Sequence, residues 1–296
     1  VKVVVVANAG AGRGRAARTA RAVADAARAR GWHAEDLPLD ADDGTRARVL
    51  EGARAAVVVG GDGTVRSFAA RAARLGVPLA IAPAGTENLA AREFGFTRGV
   101  DGIVRAIARG AVRAVDLGIA IDPRGRRHEF LVMLSAGLDA DVVHDLAARR
   151  RGPIGRLSYL GPMLRAALGW VPPTVDMTAL GGATGPTGRG QVLVANSRQY
   201  ALRLDPARGA DPCDGALEAL VLPASGWWSL VAWAARLAVR RDAAAAPAAV
   251  RSPSWTLRFD RPTLLQADGD PVPFGAVGEV EVRVVPGAVR LVDMRA

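Results

Sequence analysis

Two short stretches of this 296-residue chain carry residue types that could do chemistry. The first is Gly60-Gly61-Asp62-Gly63-Thr64. Glycine reaches positive φ without steric cost and has no Cβ to hold a ligand away from the backbone. Such a run therefore offers amide N–H groups to an anion, and a helix starting there adds the favourable end of its dipole. A carboxylate sits badly beside phosphate unless a divalent cation lies between them, so Asp62 directs the reading towards a metal–nucleotide rather than bare phosphate. The second stretch is Asp268-Gly269-Asp270. On an extended backbone its two carboxylates share one face, whereas the plainer reading of the stretch alone is an exposed Asp-Gly-Asp turn. Carboxylates that close repel each other, and such pairs supply general bases.

The elements around the first stretch are readable. Val57-Val58-Val59 is a short apolar run, the pattern of a strand buried on both faces. Beyond the glycines, Val65, Phe68, Ala69 and Ala72 fall on one face of a helix. The turn thus lies at the carboxyl end of a strand, where open α/β sheets bind ligands. The same arrangement occurs twice more. Val3 to Val6 precede the turn Asn8-Ala9-Gly10-Ala11-Gly12-Arg13-Gly14 and a helix from Arg15 to Arg30, ended by Gly31. Pro78 to Ile81 precede a turn from Pro83 to Arg92. In the first turn Asn8 can donate its amide to a phosphate or hold the turn, and Arg13 and Arg15 supply positive charge. A weak strand from His33 to Leu37, a solvated acidic loop from Asp40 to Asp43 and a helix from Thr45 to Ala53 complete a doubly wound βαβαβα half.

Near Val115 the texture changes. Strand-like segments follow one another, among them Leu117 to Ile121, Phe130 to Leu134, Gln191 to Asn196, Leu217 to Leu222, Leu264 to Ala267 and Val280 to Val284. Helical insertions interrupt them at Asp139 to Arg150 with Leu157 to Leu168, and at Trp227 to Arg241. The expected organisation is an α/β nucleotide-binding domain over 1–114 and a β-rich, sandwich-like domain over 115–296, with the extreme C-terminus packing back on the first.

Half of the residues are hydrophobic, which excludes a disordered chain. The net charge is +10, and arginine supplies nearly all of the positive charge because Lys2 is the sole lysine. A basic surface suits ATP, an anionic bilayer or nucleic acid. Zinc spacings and aromatic RNA-binding signatures are lacking, so no nucleic-acid partner is expected. Cys213 is the sole cysteine, and the sequence enters a strand without a charged-then-apolar leader. A cytoplasmic protein is therefore expected, with peripheral contact at the inner face of the membrane and a homodimer left open. The segment Gly226 to Trp233 opens an apolar helix rich in tryptophan and followed by arginines; it reads either as core or as an interfacial helix with tryptophans at headgroup level.

These motifs resemble those of a known group. Gly60 to Thr64 resembles the GGDGT signature shared by diacylglycerol kinases, sphingosine kinases, NAD kinases and phosphofructokinases. Asn8 to Gly14 resembles the first nucleotide-binding turn of the diacylglycerol kinase family, with alanine in place of the usual proline. Pro83 to Arg92 is similar to the P-x-G-T-x-N-D-x-A-R segment of lipid kinases, with Leu89 where that pattern has aspartate. Ser135 to Ala140 matches the family's small-residue turn, in which Ser135 and Gly137 read as structural. Asp268-Gly269-Asp270 resembles the D-G-E motif, whose final glutamate takes the proton from the acceptor hydroxyl. Arg208 to Gly215 resembles a loop that in some members holds a structural magnesium; Asp214 matches it and Cys213 replaces its first aspartate.

The resemblance implies the NAD kinase/diacylglycerol kinase-like fold and a kinase that phosphorylates a hydroxyl of a diacylglycerol- or sphingoid-like lipid. It implies ATP with Mg2+ against Asn8, Gly12, Arg13, Gly60, Gly61, Asp62, Gly63, Thr64, Gly85, Thr86 and Asn88. Asp270 is the implied general base and Asp268 its helper, able to take that role if Asp270 is too short. Asp211, Asp214 and Ala216 are the implied metal loop. Three alternatives stay open. One is a kinase of a non-lipid alcohol. Another is an NAD kinase-like enzyme, against which stands the lack of a G-S-T-A-Y type segment. The third is a nucleotide-binding or membrane-surface regulator without catalysis.

Overall fold

The computed structural model describes residues 1–7, 14–149, 160–239 and 247–296. The chain divides into two compact units, Val1–Val115 with Gly287–Ala296, and Asp116–Pro286.

In the first unit β1 (Lys2–Ala7), α1 (Arg15–Arg28), β2 (His33–Pro38), α2 (Asp43–Leu50), β3 (Ala53–Gly60), α3 (Asp62–Leu75), β4 (Leu79–Pro83), α4 (Leu89–Glu93) and α5 (Val100–Arg109) follow in order. The strands are parallel in the order β2-β1-β3-β4. The C-terminal end of the chain adds Leu291 beside Leu79 of β4, also parallel. Val3–Val6 and Val57–Val59 are almost completely buried, as apolar runs covered on both faces must be. α1 covers the sheet through Val23, Ala24 and Ala27 and packs against α5, which buries Ile103, Val104 and Ile107.

Two local readings change. The helix expected from Thr45 to Ala53 runs instead from Asp43 to Leu50. Asp42, expected in a solvated loop, is its N-cap: one carboxylate oxygen accepts the Thr45 N–H at 2.8 Å and the other the Thr45 hydroxyl at 2.7 Å. Gly52 at φ 67° then turns the chain into β3. The second concerns the helix expected after the turn from Pro83 to Arg92, which is divided between the short α4 and the longer α5. Its cues are the Ile103/Val104/Ile107 spacing and the left-handed Gly110 that ends it.

The second unit is entered along β5 (Val112–Ile121) and left along β15 (Val277–Val292). Between them lie β6 (Arg127–Phe130), β7 (Met133–Ala136), α6 (Leu138–Ala148), α7 (Leu160–Ala167), β8 (Thr174–Ala179), β9 (Thr184–Ala195), β10 (Leu217–Pro223), α8 (Trp227–Val239), β11 (Val250–Ser252), β12 (Ser254–Thr263), β13 (Leu265–Ala267) and β14 (Asp270–Pro271). The sheets are antiparallel. β9 belongs to two of them: Thr184–Arg189 pair with β8, which continues to β12 and β15, whereas Gly190–Ala195 pair with β10 and Val192–Ala195 also with β7, which continues to β13 and β14. The two layers share one core containing Phe130, Leu134, Met177, Val192, Trp255 and Leu257. Trp255 binds them further by donating its indole N–H to the Leu217 carbonyl at 3.1 Å. This is the β-rich, sandwich-like architecture expected of the second half.

Candidate active site

In the first unit β2 and β3 flank β1 on opposite sides, so the strand order reverses between β1 and β3. In an open parallel sheet that reversal opens a crevice at the carboxyl ends of the two strands. The turn after β3 is Gly60–Thr64. The turn after β1 carries Asn8, Gly12 and Arg13, which lie outside the described residues.

Gly60, Gly61, Gly63 and Gly85 all stand outside the left-handed region, so positive φ is not why glycine is needed. Close approach is. A Cβ on Gly85 would lie 2.5 Å from the Gly61 Cα, and a Cβ on Gly60 would lie 2.5 Å from the Thr64 Cβ. The turns after β3 and β4 therefore touch backbone to backbone. Two hydrogen bonds fasten them: Ala84 N–H to the Gly60 carbonyl at 2.9 Å, and Ala90 N–H to the Asp62 carboxylate at 2.9 Å. Asp62 thus ties the GGDGT turn to the start of α4, a task its residue type did not announce. Asn88, at φ 51°, closes the second turn on itself. Its amide oxygen accepts the Gly85 N–H and its amide nitrogen donates to the Gly85 carbonyl, both at 2.8 Å. Leu89 is buried in α4. The 14-residue α3 opens at this junction, with first-turn amides that have no acceptor within the helix.

In the second unit Asp268 and Asp270 do not lie on an extended segment. Asp268 and Gly269 have φ of 51° and 85° and form the two-residue loop of the β13–β14 hairpin, in which Ala267 pairs with Asp270. The shared-face expectation fails for that reason. The two residues also have different surroundings. Asp270 is partly exposed, whereas Asp268 is buried. The Asp268 carboxylate accepts three backbone N–H groups, from Leu131 at 2.7 Å and from Val132 and Met133 at 2.9 Å each. This bond set also explains why the strand expected over Phe130 to Leu134 is two strands. Its middle N–H groups go to Asp268, and its carbonyls go to Asn196 and Ser197, instead of to a ladder.

A partly buried polar network supports the hairpin. Asp139, in the first turn of α6, accepts from Ser135 Oγ at 2.6 Å, Gln191 Nε2 at 2.6 Å and the Tyr200 hydroxyl at 2.9 Å. Gln266 donates to Ser135 Oγ at 2.6 Å and accepts the Gly269 N–H at 2.8 Å, which carries the network into the Asp-Gly turn. Burial, and then the Asp139 charge, push the Tyr200 hydroxyl well above its ordinary pKa, so it stays a donor. Gly137, at φ 133°, lies where a Cβ would come within 2.4 Å of Gln191 Oε1. The small-residue turn is thus the floor of this network. Of the network only Ser135 and Asp139 lie within the turn singled out from sequence; Gln191 and Tyr200 are joined to it by pairing that no local spacing reports.

Beside α6 are hollows of about 420 and 350 Å3, both bordered by Asp141, Trp170 and Arg261. Burial raises the Asp141 pKa to about 6; the Asp139 charge adds to this, while Arg261 and the Trp170 indole N–H oppose it. The carboxyl therefore binds its proton more tightly folded than unfolded. Between its ordinary value of 3.8 and about 6, unfolding releases that proton. The group's stabilising contribution is full below the lower value and is lost as pH rises through the upper one. Asp141→Asn is expected to remove this slope and to be the more stable protein at pH 7. Denaturation curves taken across pH 4 to 7 check it.

The implied metal loop shows other uses for its residues. Asp211 accepts the Cys213 N–H at 3.1 Å. Asp214 accepts the Ala216 N–H at 3.0 Å with one oxygen and pairs with Arg251 through the other. A hard cation needs several oxygens, and among the described residues no three His, Cys, Asp or Glu side chains are grouped to hold one. The donor set as placed does not fit a cation.

Residues 2–120 match the family defined by the diacylglycerol kinase catalytic domain. A diacylglycerol kinase of Mycobacterium tuberculosis is 38% identical over 119 residues, which are 40% of this chain and 38% of that protein. An uncharacterized protein of Synechocystis is 29% identical over 110 residues, 37% of this chain and 24% of that one. The aligned part thus spans well under half the length of these relatives. A diacylglycerol kinase structure from Bacillus anthracis superposes with a TM-score of 0.70 at 18% identity, covering 99% of this chain and 96% of that chain, and so shares the fold. Residues 2–120 are thus similar to the diacylglycerol kinase catalytic domain, and the chain as a whole shares the fold of that Bacillus anthracis structure.

Proposed function

We propose that this protein is an ATP-dependent kinase that phosphorylates a hydroxyl of a diacylglycerol- or sphingoid-like lipid. The observation that carries the reading is the pair of glycine turns joined backbone to backbone beside the β1/β3 reversal. MgATP is the substrate there: the turns receive its phosphates, and α3 sets its dipole against their charge. Asp270 takes the proton of the acceptor hydroxyl as its oxygen attacks the γ-phosphoryl group, and ADP leaves. The network of Asp139 and Gln266, together with the buried Asp268 carboxylate on the Leu131–Met133 backbone, holds the hairpin that presents it. A lipid acceptor is met at a bilayer surface, so the protein works in peripheral contact with membrane.

ATP turnover measured with a diacylglycerol, a sphingoid base and a small polar alcohol tests the reading. Turnover with a lipid acceptor is expected. Turnover with the polar alcohol alone, or nucleotide binding without turnover, overturns it. The cradle has its own test in Gly85→Ala. The added Cβ cannot coexist with Gly61 at 2.5 Å, so the two turns must separate. Misplacing bound phosphates by about 1 Å costs roughly 10²-fold, and a loss of that order is expected in kcat/KM for ATP. Unit two, which lacks this contact, keeps its stability.

A further inference from the structure

The geometry points to α8 as the element that docks this protein on an anionic bilayer, lying in the plane of the membrane surface. Where the sequence left core packing as one reading, α8 buries only Leu237. Leu230 and Trp233 are partly covered on the same side, and the Trp233 indole N–H is tied to the Pro223 carbonyl at 2.9 Å. That fixes which side faces the protein. The opposite side consists of Trp228, Val231, Ala232, Ala235, Ala238 and Val239, all exposed. These positions recur at helical spacing, so they form one continuous stripe. A surface helix of a soluble protein turns charged residues outward and its apolar stripe inward. Here the outward stripe is wholly apolar, with Trp228 at 68% and Val239 at 83% exposure.

The occupant follows from chemistry and charge. At 13 residues α8 is about 20 Å long, and no helix among the described residues is long and apolar enough to cross a membrane. It can lie in an interface but cannot span one. Trp227 and Trp228 stack at its start with centroids 3.5 Å apart, a pair suited to headgroup level. α8 has no acidic residue, Arg236 stands at the edge of the stripe, and the chain carries +10. An anionic surface is complementary to that balance, whereas a second copy would bring the same charge against it.

Sedimentation of the full chain with vesicles of phosphatidylglycerol and phosphatidylcholine, against phosphatidylcholine alone, tests this. Binding to the anionic vesicles is expected. Trp228→Glu with Val231→Glu is expected to weaken it at least tenfold, with the unfolding midpoint and turnover of a short-chain soluble acceptor unchanged. Equal binding by the variant, or no binding by the parent, overturns the inference. So does a lipid-free dimer that the same substitutions dissolve. The inference deepens the lipid-kinase reading but is read without nucleotide. Vesicle binding lost through α8 in a protein that turns over no acceptor would sink the kinase reading and leave the docking surface standing.

Discussion

Asp270→Asn is expected to lower kcat by about 10² to 10⁴-fold, the range that a positioned general base supplies. KM for ATP should stay near its parent value. The expectation rests on where Asp270 stands. It is the first residue of β14, its backbone paired with Ala267 across a two-residue loop. The loop itself is held by the Gly269 N–H on Gln266 and by Asp268. Because the hairpin is fixed by backbone and by other side chains, the amide substitution removes proton affinity and leaves the fold. Asp270→Glu adds one methylene, a change of reach of about 1.5 Å, and keeps a carboxylate. It is expected to retain turnover within about tenfold. Steady-state kinetics of the two variants, with nucleotide affinity measured separately, give the answer. An asparagine variant with parental kcat would remove Asp270 from the chemistry, and a glutamate variant as slow as the asparagine one would show that reach decides.

The parts of this site that sequence revealed are those with local causes. Val3–Val6 and Val57–Val59 are buried strands because an uninterrupted valine run has no polar face to give to water. The glycine turns sit where strand ends and helix begins, and that too is local. Their reason was not readable. Gly61 and Gly85 are 24 positions apart in the chain, and only the fold brings their backbones to a distance at which a Cβ cannot fit. Asp62 likewise shows that it also ties its turn to α4 only once Ala90 is seen to donate to it.

Asp268 and Asp270 were legible as a turn but not as a pair sharing one face, for a different reason. A two-residue spacing implies a shared face only on an extended backbone, and Asp-Gly between two apolar strands is a hairpin turn. That cue was present in Leu265-Gln266-Ala267 before the pair and Val272 after it. α8 shows the same limit from another side. The spacing of Trp228, Val231 and Ala235 reveals a stripe, but nothing local says that the stripe faces outward.

Asp268→Ala is expected to destabilise unit two by roughly 4 kcal/mol, because a buried donor left without a partner costs about 1–3 kcal/mol and three are exposed to that loss. The donors are the N–H groups of Leu131, Val132 and Met133, all three residues buried. No neighbouring strand can replace the carboxylate. The carbonyl of Leu131 is already taken by the Asn196 amide at 2.8 Å, and that of Val132 by the N–H groups of Asn196 and Ser197 at 2.9 and 3.0 Å, so the segment is pinned between its two sides. Asp268→Asn separates this role from catalysis. Its remaining oxygen can still accept from Val132 and Met133, but its NH2 then meets the Leu131 N–H donor to donor. An intermediate loss of about 2 kcal/mol is expected. Denaturation followed by tryptophan fluorescence reads both variants, since Trp255 lies in the same core. Turnover should fall in proportion to the misplaced hairpin and recover partly at lower temperature. If Asp268 were instead the proton acceptor, the asparagine variant would keep its stability and lose turnover at every temperature. That result would return Asp268 to the chemistry and reduce Asp270 to a turn residue.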